Sequence, residues 1–507
     1  MTQFNRRIFV LGGIATAGAL GWSGNASAAL AFPFTLGVAS GDPLPDGVVL
    51  WTRLAPTPLN GDGHGGMPNQ SVDVEWQVAT DELFADVVQS GTVTAHYTDA
   101  HSVHVEVHGL QPDYAYYYRF RTGGHLSPVG TTRTAPAFDV VGRDLLMAFT
   151  SCAHYEDGYY TVYRRIAEDR PDLVLHLGDY IYEGGAGDDG VRHHVGAEIV
   201  SLADYRRRYA QYKTDTDLQA AHAAAPWLVV PDDHEVENNY ANTTRANNSP
   251  TLTAAQWKQR RADAYRAYYE NMPLRGGAKP NGADILLYRR IRWGGLATFH
   301  LLDTRQYRHD QACGDGWRYC PPAGDPARSL PGTTQENWLL DGLGRRHGIW
   351  DVMGQQVFFA RQVDAGDAGN MDAWDGYPAS RDRIQKGWVQ RGVRNPVVLT
   401  GDVHRAWANN LKIDYTNPGA PVVGTELVTS SVSSGGDGTD STTIPHGAHN
   451  PHLKFHSQHR GYVRTKVSQT RIDVDFRVVP KITTRGAAAS TQRSFVIEEG
   501  RPGVQNP

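Results

Sequence analysis

The first third of the chain alternates apolar and polar residues with the period of two that half-buried β-strands have. The clearest case is Val-His-Val-Glu-Val at 103–107, and 48–51 and 72–76 are further strand candidates. Residues 132–137 are polar and contain a proline, which indicates a linker. The pattern therefore predicts an all-β domain over 35–135.

One segment of this domain narrows the prediction. Residues 110–119, Leu-Gln-Pro-Asp-Tyr-Ala-Tyr-Tyr-Tyr-Arg, resemble the turn and sixth strand of a fibronectin type III sandwich, in which a tyrosine fastens the corner. The resemblance implies an N-terminal domain of the fibronectin III or immunoglobulin kind, with two sheets packed face to face.

After residue 144 the pattern changes to short apolar runs that alternate with longer helical stretches. The apolar runs are 145–150, 173–177, 227–230, 296–302 and 397–400. The helical candidates are 159–169, 202–223 and 254–271. Buried strands that alternate with helices predict an α/β domain, here over 144–500, with glycine-rich loops at 184–190 and 433–438.

Four of the apolar runs are followed by residue types that bind metals. The four sets are Ser-Cys-Ala-His at 151–154, Gly-Asp-Tyr-Ile-Tyr-Glu at 178–183, Asp-Asp-His-Glu at 232–235 and Gly-Asp-Val-His at 401–404. Each set alone is a weak signal, because a single cysteine is commonly an inert buried thiol. Four sets directly after strand-like runs of one domain predict a shared site at the carboxyl edge of the sheet.

Composition excludes several classes of protein. The chain has 507 residues, 40% hydrophobic and 20% charged, which fits two or three globular domains and excludes a disordered or collagen-like chain. The formal net charge is −5, so the composition has no basic bias, and we expect no stable nucleic-acid partner. After the N-terminal segment no uncharged apolar stretch is long enough to span a bilayer, so we expect no transmembrane anchor, and we expect a monomer.

The first 28 residues have the organisation of an export signal. They contain no Asp or Glu, and the pair Arg6 and Arg7 precedes an apolar, Gly/Ala-rich run that ends in Ala-Ser-Ala at 26–28. The segment resembles a bacterial twin-arginine signal, which implies passage through the twin-arginine translocase and a secreted, periplasmic or cell-wall location. The alternative is a cytosolic chain with a chance arginine pair.

Motifs spread over the whole chain add a family resemblance. They are Ala-Ser-Gly-Asp-Pro at 39–43, Val-Leu-Trp-Thr-Arg at 49–53, Phe-Thr-Ser-Cys at 149–152, His-Leu-Gly-Asp-Tyr-Ile-Tyr-Glu at 176–183, the segment 232–240, Leu-Asp-Thr-Arg-Gln at 302–306, Gly-Asp-Val-His at 401–404 and Ser-Ser-Gly-Gly-Asp-Gly at 433–438. Together they resemble the PhoD-type alkaline phosphatases among the calcineurin-like metallophosphoesterases. The resemblance implies a catalytic domain of mixed β-sheets flanked by helices, and a secreted metal-dependent phosphatase or phosphodiesterase.

The resemblance also implies a centre that holds Fe(III) and Ca²⁺. The iron ligands would be Cys152, Asp179, Tyr182 and His404, since a thiolate and a phenolate together favour Fe(III). The alternative for Cys152 is an inert buried thiol, and the alternative for Tyr182 is an ordinary core tyrosine.

The calcium site would share Asp179 as a bridging carboxylate and add Asp233 and Asp402. These are hard oxygen ligands, which favour Ca²⁺ over Zn²⁺. The alternative for Asp402 is a helix N-cap. The sequence does not decide the roles of Asn238, Asn239, Gln355, Gln356 and Asp375.

Two further residues have candidate roles in catalysis. Phosphate esters would be hydrolysed by direct attack of a metal-bound hydroxide, without a phospho-enzyme. His234 follows a predicted ligand and would protonate the leaving oxygen or hold a phosphate oxygen. Arg305 would bind a phosphate oxygen bidentately, with a surface salt bridge as the alternative.

The two remaining cysteines lie close together in the sequence, and two alternative functions stay open. Cys313 and Cys320 flank a turn-rich segment of a chain expected to be exported, which predicts a small-loop disulfide, with two free thiols as the alternative. A phospholipase D-like diesterase acting on lipid headgroups is a second enzymatic reading. A non-enzymatic extracellular binding protein is a third.

Overall fold

The computed structural model describes residues 30–246, 251–345 and 347–507. The predicted export signal at 1–28 lies outside the described residues. Within them, none of the helices combines the length and the apolar character that crossing a bilayer requires.

Twenty-four strands and six α-helices make up the regular structure of the described residues. The strands are β1 (Val38–Leu44), β2 (Gly47–Arg53), β3 (Val72–Ala79), β4 (Val87–Ala95), β5 (Ser102–Val107), β6 (Ala115–Thr122), β7 (His125–Leu126), β8 (Gly130–Arg133), β9 (Leu145–Thr150), β10 (Leu173–His176), β11 (Pro226–Val229), β12 (Arg289–Trp293), β13 (Ala297–Leu301), β14 (Trp317–Arg318), β15 (Trp350–Gln355), β16 (Gly369–Asn370), β17 (Pro396–Thr400), β18 (Ala406–Lys412), β19 (Val422–Val428), β20 (Leu453–Ser457), β21 (Arg460–Val467), β22 (Arg471–Val479), β23 (Ser490–Glu498) and β24 (Arg501–Gln505). The helices are α1 (Thr161–Asp169), α2 (Leu202–Lys213), α3 (Thr216–Ala224), α4 (Ala254–Asn271), α5 (Thr333–Leu343) and α6 (Pro378–Arg391).

Two mixed sheets lie face to face and are covered by helices on their outer sides. The larger sheet has the order β24-β23-β22-β21-β9-β10-β11-β1-β2-β5, and the smaller has the order β12-β13-β15-β17-β19-β18-β20. Apolar side chains of both sheets form the core between them. Helices α1 to α4 cover the larger sheet, and α5 and α6 cover the smaller. Mixed sheets flanked by helices are the architecture that the sequence predicts.

The continuous apolar runs are explained by burial on both faces of a strand. In β17, Val397 and Leu399 enter the core between the sheets, whereas Val398 packs under the helices of the smaller sheet. In β9, Phe149 and Ala148 divide between two cores in the same way. Strands β9, β10 and β11 are parallel, as are β13, β15, β17 and β19, so several carboxyl ends meet at one edge of each sheet.

The N-terminal β-region shares a sheet with the rest of the molecule. Strands β3, β4, β6, β7 and β8 form a separate sheet that packs through an apolar cluster onto β1, β2 and β5. Those last three strands continue the larger sheet, because β1 pairs in parallel with β11 at Ser40 and Pro226. At the corner before β6, the backbone N–H of Gln111 donates to the Tyr116 hydroxyl over 2.9 Å.

Most of the predicted elements lie where the local pattern places them, and two differ. The predicted helix 202–223 is two helices, because the Asp215 side chain accepts hydrogen bonds from Asp217 and Leu218 N–H and starts α3 as a new helix. The predicted linker at 132–137 begins inside β8, since residues 132 and 133 pair with β6.

Candidate metal centre

The four predicted ligand sets lie on loops that follow neighbouring strands. Cys152 follows β9 and Asp179 follows β10, while the other two sets follow β11 and β17. The first two loops are fastened together, because Cys152 N–H donates to the Gly178 carbonyl over 3.1 Å and Ala153 N–H to that of Asp179 over 2.9 Å. Backbone hydrogen bonding therefore fixes the relative positions of the side chains on these loops.

Two glycines permit the close approach of the loops. A Cβ added at Gly178, which has a φ of +102°, would lie 2.4 Å from the Cβ of Asp232. A Cβ at Gly401 would lie 2.9 Å from both the Leu177 carbonyl oxygen and the Ser151 Cβ. The glycine that precedes the aspartate in both Gly-Asp pairs is therefore required by space.

Four of the predicted ligands have backbone conformations that L-residues rarely adopt. The φ angles are +60° at Cys152, +54° at Asp179, +61° at Asp402 and +58° at His404. Such a conformation costs on the order of 1–3 kcal/mol and persists only where the surrounding structure enforces it. The fold thus holds these side chains in fixed directions at an energetic cost.

The residues predicted to hold iron come together. Ligand atoms of Cys152, Asp179 and His404 lie within 4.8 Å of one another. The Tyr182 hydroxyl donates to Asp179 Oδ2 over 3.1 Å, lies 3.0 Å from His404 Nε2 and accepts from Ser434 Oγ over 2.7 Å. A thiol, a carboxyl, a phenol and an imidazole therefore face one small volume.

The residues predicted to hold calcium form two overlapping groups. Asp179 and Asp233 lie within 4.8 Å of each other and of His234, whereas Asp233 and Asp402 lie equally close to Asp232. Asp232 is thus a candidate ligand without an assigned role in the prediction. Its signal is its place in the motif at 232–235, but two adjacent aspartates do not by themselves say which one faces the site.

The electrostatics of this cluster fit bound cations. Burial raises the pKa of Asp179 and of Asp402 well above the usual range, and neighbouring carboxylates raise both further. Burial likewise raises the pKa of the Cys152 thiol, with Asp179 adding to the shift. Buried carboxylate oxygens of Asp179 (Oδ1) and Asp232 (Oδ2) have no hydrogen-bond partner among the described residues. Unpaired buried oxygens and uncompensated negative charge are what a divalent or trivalent cation satisfies.

Arg305 lies neither at the protein surface nor free to contact a phosphate, the two alternatives that the sequence leaves open. Its side chain is completely buried, so the surface salt bridge is wrong. The guanidinium Nε donates to Asp232 over 2.5 Å, Nη1 to Asp372 over 2.9 Å, and Nη2 lies 3.2 Å from Asp233. Burial raises the pKa of Asp233, but Arg305 and His234 outweigh it and hold that pKa below the usual range. Arg305 therefore orients the carboxylates of the cluster from the buried interior.

His234 lies between the cluster and an acidic partner. Its Nδ1 lies 2.7 Å from Glu183 Oε2, and its ring centroid lies 4.1 Å from that of Tyr182. The side chain keeps 18% of its surface exposed, so the imidazole is not fully enclosed. A ring nitrogen within 4.8 Å of ligand atoms of Asp179 and Asp233 suits a group that contacts a ligand bound at these carboxylates.

Glu235 belongs to the predicted set at 232–235, but the sequence assigns it no role. Its carboxylate accepts the backbone N–H groups of Asp179, Tyr180 and Asp232 over 3.1, 2.5 and 2.7 Å. Burial raises its pKa to about 7. One side chain thus connects two ligand-bearing loops, and only the adjacency of Glu235 to the motif aspartates could have suggested it.

The residues whose roles the sequence leaves open support the site from its edges. Asn238 N–H donates to Glu183, and Asn239 N–H donates to Asp233 Oδ2 over 2.6 Å. Gln355 bonds to Thr400, Gln356 bonds to the backbone of Pro231 and Leu302, and Asp375 pairs with Arg381. These contacts hold loops and strand ends in place.

A cleft of about 860 Å³ opens above the cluster. Asp402 and His404 of the cluster line this cleft, and so do Trp317 and His446. The Cys313–Cys320 disulfide is present, which confirms the predicted pairing. It closes the loop that carries Trp317.

Comparisons with known proteins agree along nearly the whole chain. The family model described as PhoD-like phosphatase matches residues 147–476, and that of its N-terminal domain matches residues 20–136. The chain is 50% identical to alkaline phosphatase D of Bacillus subtilis strain 168 over 487 residues, which are 94% of this chain and 82% of the relative. A solved structure titled "Structure of PhoD" has a TM-score of 0.90 and 48% identity, with 96% of this chain and 93% of that chain covered.

Proposed function

Because the chain belongs to the PhoD-like phosphatase family, we propose that it hydrolyses phosphate esters with metal ions held at the strand-end cluster. The observation that carries the proposal is the convergence of a thiol, a phenol, imidazoles and four carboxyls on one buried volume, with carboxylate oxygens left unpaired. Such a donor set fits cations, and cations are what phosphoryl transfer needs to neutralise its charged oxygens.

Two metal sites would divide the cluster. Cys152, Asp179, Tyr182 and His404 would hold the first cation, and their soft and phenolic donors favour Fe(III). The carboxylates of Asp179, Asp232, Asp233 and Asp402 would hold the second cation, and their oxygen donors favour Ca²⁺. Bound there, the cations would supply charge neutralisation on the phosphate oxygens and a water of lowered pKa.

The chain's own residues would orient the substrate and handle the proton. His234 is held by Glu183, lies beside Asp179 and Asp233 and is 18% exposed, so it would protonate the leaving oxygen or donate a hydrogen bond to a phosphate oxygen. Arg305 would act as a positioning residue, because its buried guanidinium is engaged by Asp232 and Asp372. This replaces direct phosphate binding as the role that we assign to Arg305.

The assay that tests the function uses p-nitrophenyl phosphate, its bis-ester and phosphatidylcholine as parallel substrates. We expect turnover of the monoester or the bis-ester that stops after chelation and returns when metal is restored. Turnover of phosphatidylcholine alone would favour the phospholipase D-like alternative. Chelation-resistant activity would contradict the metal-dependent mechanism, and no activity on any ester would contradict the proposed function.

The identity of the first metal has its own test. Thiolate or phenolate bound to Fe(III) gives visible charge-transfer absorption, so the purified protein should be coloured. Tyr182→Phe and Cys152→Ser should each shift or remove the band. A colourless, zinc-loaded, active protein would overturn the iron assignment and leave the reaction class standing.

Location and domain organisation follow as further parts of the proposal. Residues 1–28 would direct twin-arginine export, with the enzyme secreted or held in the periplasm or cell wall. The region 35–135 would be a fibronectin III-like sandwich in which Tyr116 is the corner tyrosine, and 144–500 would be the catalytic domain. Fusing residues 1–28 to a reporter and mutating Arg6 and Arg7 together to lysine tests the export step.

A further inference from the structure

The disulfide loop, residues 313–320, is the feature that the proposed chemistry leaves unused. Cys313 and Cys320 close it, and its short strand β14 pairs with β16 with Trp317 opposite Asn370. Met371 N–H also donates to the Gly316 carbonyl over 3.0 Å. A disulfide and backbone hydrogen bonds therefore hold a loop of eight residues in one place.

The same loop is connected to the metal centre. Asn239 Nδ2 donates to Asp315 Oδ2 over 2.7 Å, and Asn239 N–H donates to Asp233 Oδ2 over 2.6 Å. Two hydrogen bonds thus lead from the loop to a candidate metal ligand. These bonds fix the position of the loop relative to Asp233.

The loop places an exposed aromatic ring in the cleft. Trp317 is 44% exposed and lines the same cleft as Asp402 and His404. Its ring centroid lies 5.5 Å from that of His446, with 44° between the planes. Phe358 and Trp407 also line the cleft and are buried. A solvent-exposed indole face can bury its apolar surface against a bound ligand.

Resting on the proposed function, we propose that Trp317 is a specificity-determining residue that stacks against the leaving group of phosphate esters whose alcohol contains a ring. With the phosphate at the metal centre, the alcohol portion would extend along the cleft toward the Trp317–His446 pair. A flat aryl, nucleoside or sugar ring offers a face to stack on, whereas glycerol offers none. The chain would accordingly prefer ring-bearing esters over acyclic ones.

The closing experiment compares KM and kcat of the holoenzyme on four esters. They are p-nitrophenyl phosphate, adenosine 5′-monophosphate, glucose 6-phosphate and the acyclic glycerol 1-phosphate. Trp317→Ala should raise KM by about tenfold for the ring-bearing esters that the enzyme prefers, leave kcat within about twofold, and leave KM for glycerol 1-phosphate unchanged. The three ring-bearing arms identify which kind of ring the site takes, and Trp317→Phe should restore most of the loss.

Matched variants separate stacking from loop damage. Tyr319→Ala changes an aromatic residue of the same loop that is 69% exposed and does not line this cleft, so it should leave every KM unchanged. Cys313→Ser with Cys320→Ser frees the loop, so it should raise KM for the ring-bearing esters by about threefold without altering that for glycerol 1-phosphate. An equal KM change for ring-bearing and acyclic esters in Trp317→Ala, or no change for either, would overturn the inference.

A binding measurement keeps this inference distinct from the proposed function. Phenylphosphonate and methylphosphonate cannot be hydrolysed, and calorimetry measures their affinities for the holoenzyme. We expect phenylphosphonate to bind about tenfold more tightly than methylphosphonate, and Trp317→Ala to abolish the difference. No difference in the unchanged protein would overturn the inference. A retained difference without turnover of any ester would instead contradict the proposed function.

Discussion

Two aspartates near the ends of two strands of the larger sheet share an unusual backbone and differ in their surroundings. Asp42 of β1 has a φ of +44° and Asp179 beyond β10 has a φ of +54°, and both are buried. Asp42 accepts two hydrogen bonds from the Arg289 guanidinium, over 3.0 and 2.7 Å. Asp179 has an unpaired Oδ1 and further acidic groups around it.

Backbone strain at an aspartate is thus distinct from a role in the metal centre. A left-handed aspartate occurs at both places, so an unusual φ does not by itself mark a reactive site. What distinguishes Asp179 is a buried carboxyl that no arginine or lysine in the described part of the chain pairs with, whereas the charge of Asp42 is balanced by Arg289. Uncompensated buried charge is costly unless a ligand satisfies it, and that cost points to bound cations.

The largest expected effect is on turnover by Asp179→Asn. Loss of the carboxylate shared by both proposed metal sites should lower kcat/KM by at least about 10³-fold, comparable with loss of a key group that stabilises transition-state charge. Steady-state kinetics measure the fall, and circular dichroism should show the fold retained. Cys152→Ala should behave in the same way, and near-normal activity in either variant would remove that residue from the proposed centre.

The next effect concerns the close packing that brings the loops together. Gly178→Ala should lower the free energy of unfolding by about 3 kcal/mol, because the added Cβ meets Asp232 at a positive φ. Activity should fall as well, because Asp232 is displaced.

Gly486→Ala is the matched control, since Gly486 has a φ of +82° and no atom within 4 Å of the added Cβ. It should cost only about 1 kcal/mol through backbone strain, with activity unchanged. Denaturant titration measures both losses. Equal losses in the two variants would show that contact with Asp232 does not contribute to the destabilisation by Gly178→Ala.

The fold could be predicted from sequence where the signal is local. Helix 254–271 and strand 145–150 match α4 and β9 residue for residue, because their apolar spacing is local and the capping residue Thr253 directly precedes the helix. The continuation of the larger sheet by β1 could not be predicted. It depends on the pairing of Ser40 with Pro226, which no local pattern encodes.

The site residues also divide into those with a local sequence signal and those without one. Ligand types directly after apolar runs indicate Cys152, Asp179 and His404, because parallel strands bring their carboxyl ends together. The contributions of Asp232 and Glu235 and the burial of Arg305 depend on the directions of side chains in three dimensions. Sequence spacing does not supply those directions.

Asp42→Asn tests the compensated side of the comparison. Replacing the carboxylate weakens charged hydrogen bonds to Arg289, so the free energy of unfolding should fall by about 2 kcal/mol. The kcat/KM of the folded protein should stay unchanged, because Asp42 faces a guanidinium and not the metal centre. A kinetic defect like that of Asp179→Asn would show that the two aspartates do not differ in the way described.

A smaller effect is expected from a buried histidine beside this sheet. Burial, with Lys213 and His176 adding, holds the pKa of His222 well below its ordinary 6.5, and its ring stacks on Trp227. The unfolded chain takes up a proton near pH 6.5 and the folded chain does not, so stability is lost as the pH falls below that value. Between pH 7 and 5.5 this histidine should contribute a loss of about 1 kcal/mol.

His222→Gln should remove that part of the acid sensitivity, measured as the change in free energy of unfolding between the two pH values. The comparison uses this pH difference, so loss of stacking on Trp227 affects both values alike. An identical pH dependence in variant and parent would exclude His222 as a source.

The most direct test of the central claim is the metal content of the purified, active protein, determined by elemental analysis alongside specific activity. The account predicts at least two metal ions per chain, activity that rises in proportion to occupancy, and loss of both metal and activity in Asp179→Asn. Full activity in a preparation that holds far less than one metal ion per chain would contradict it.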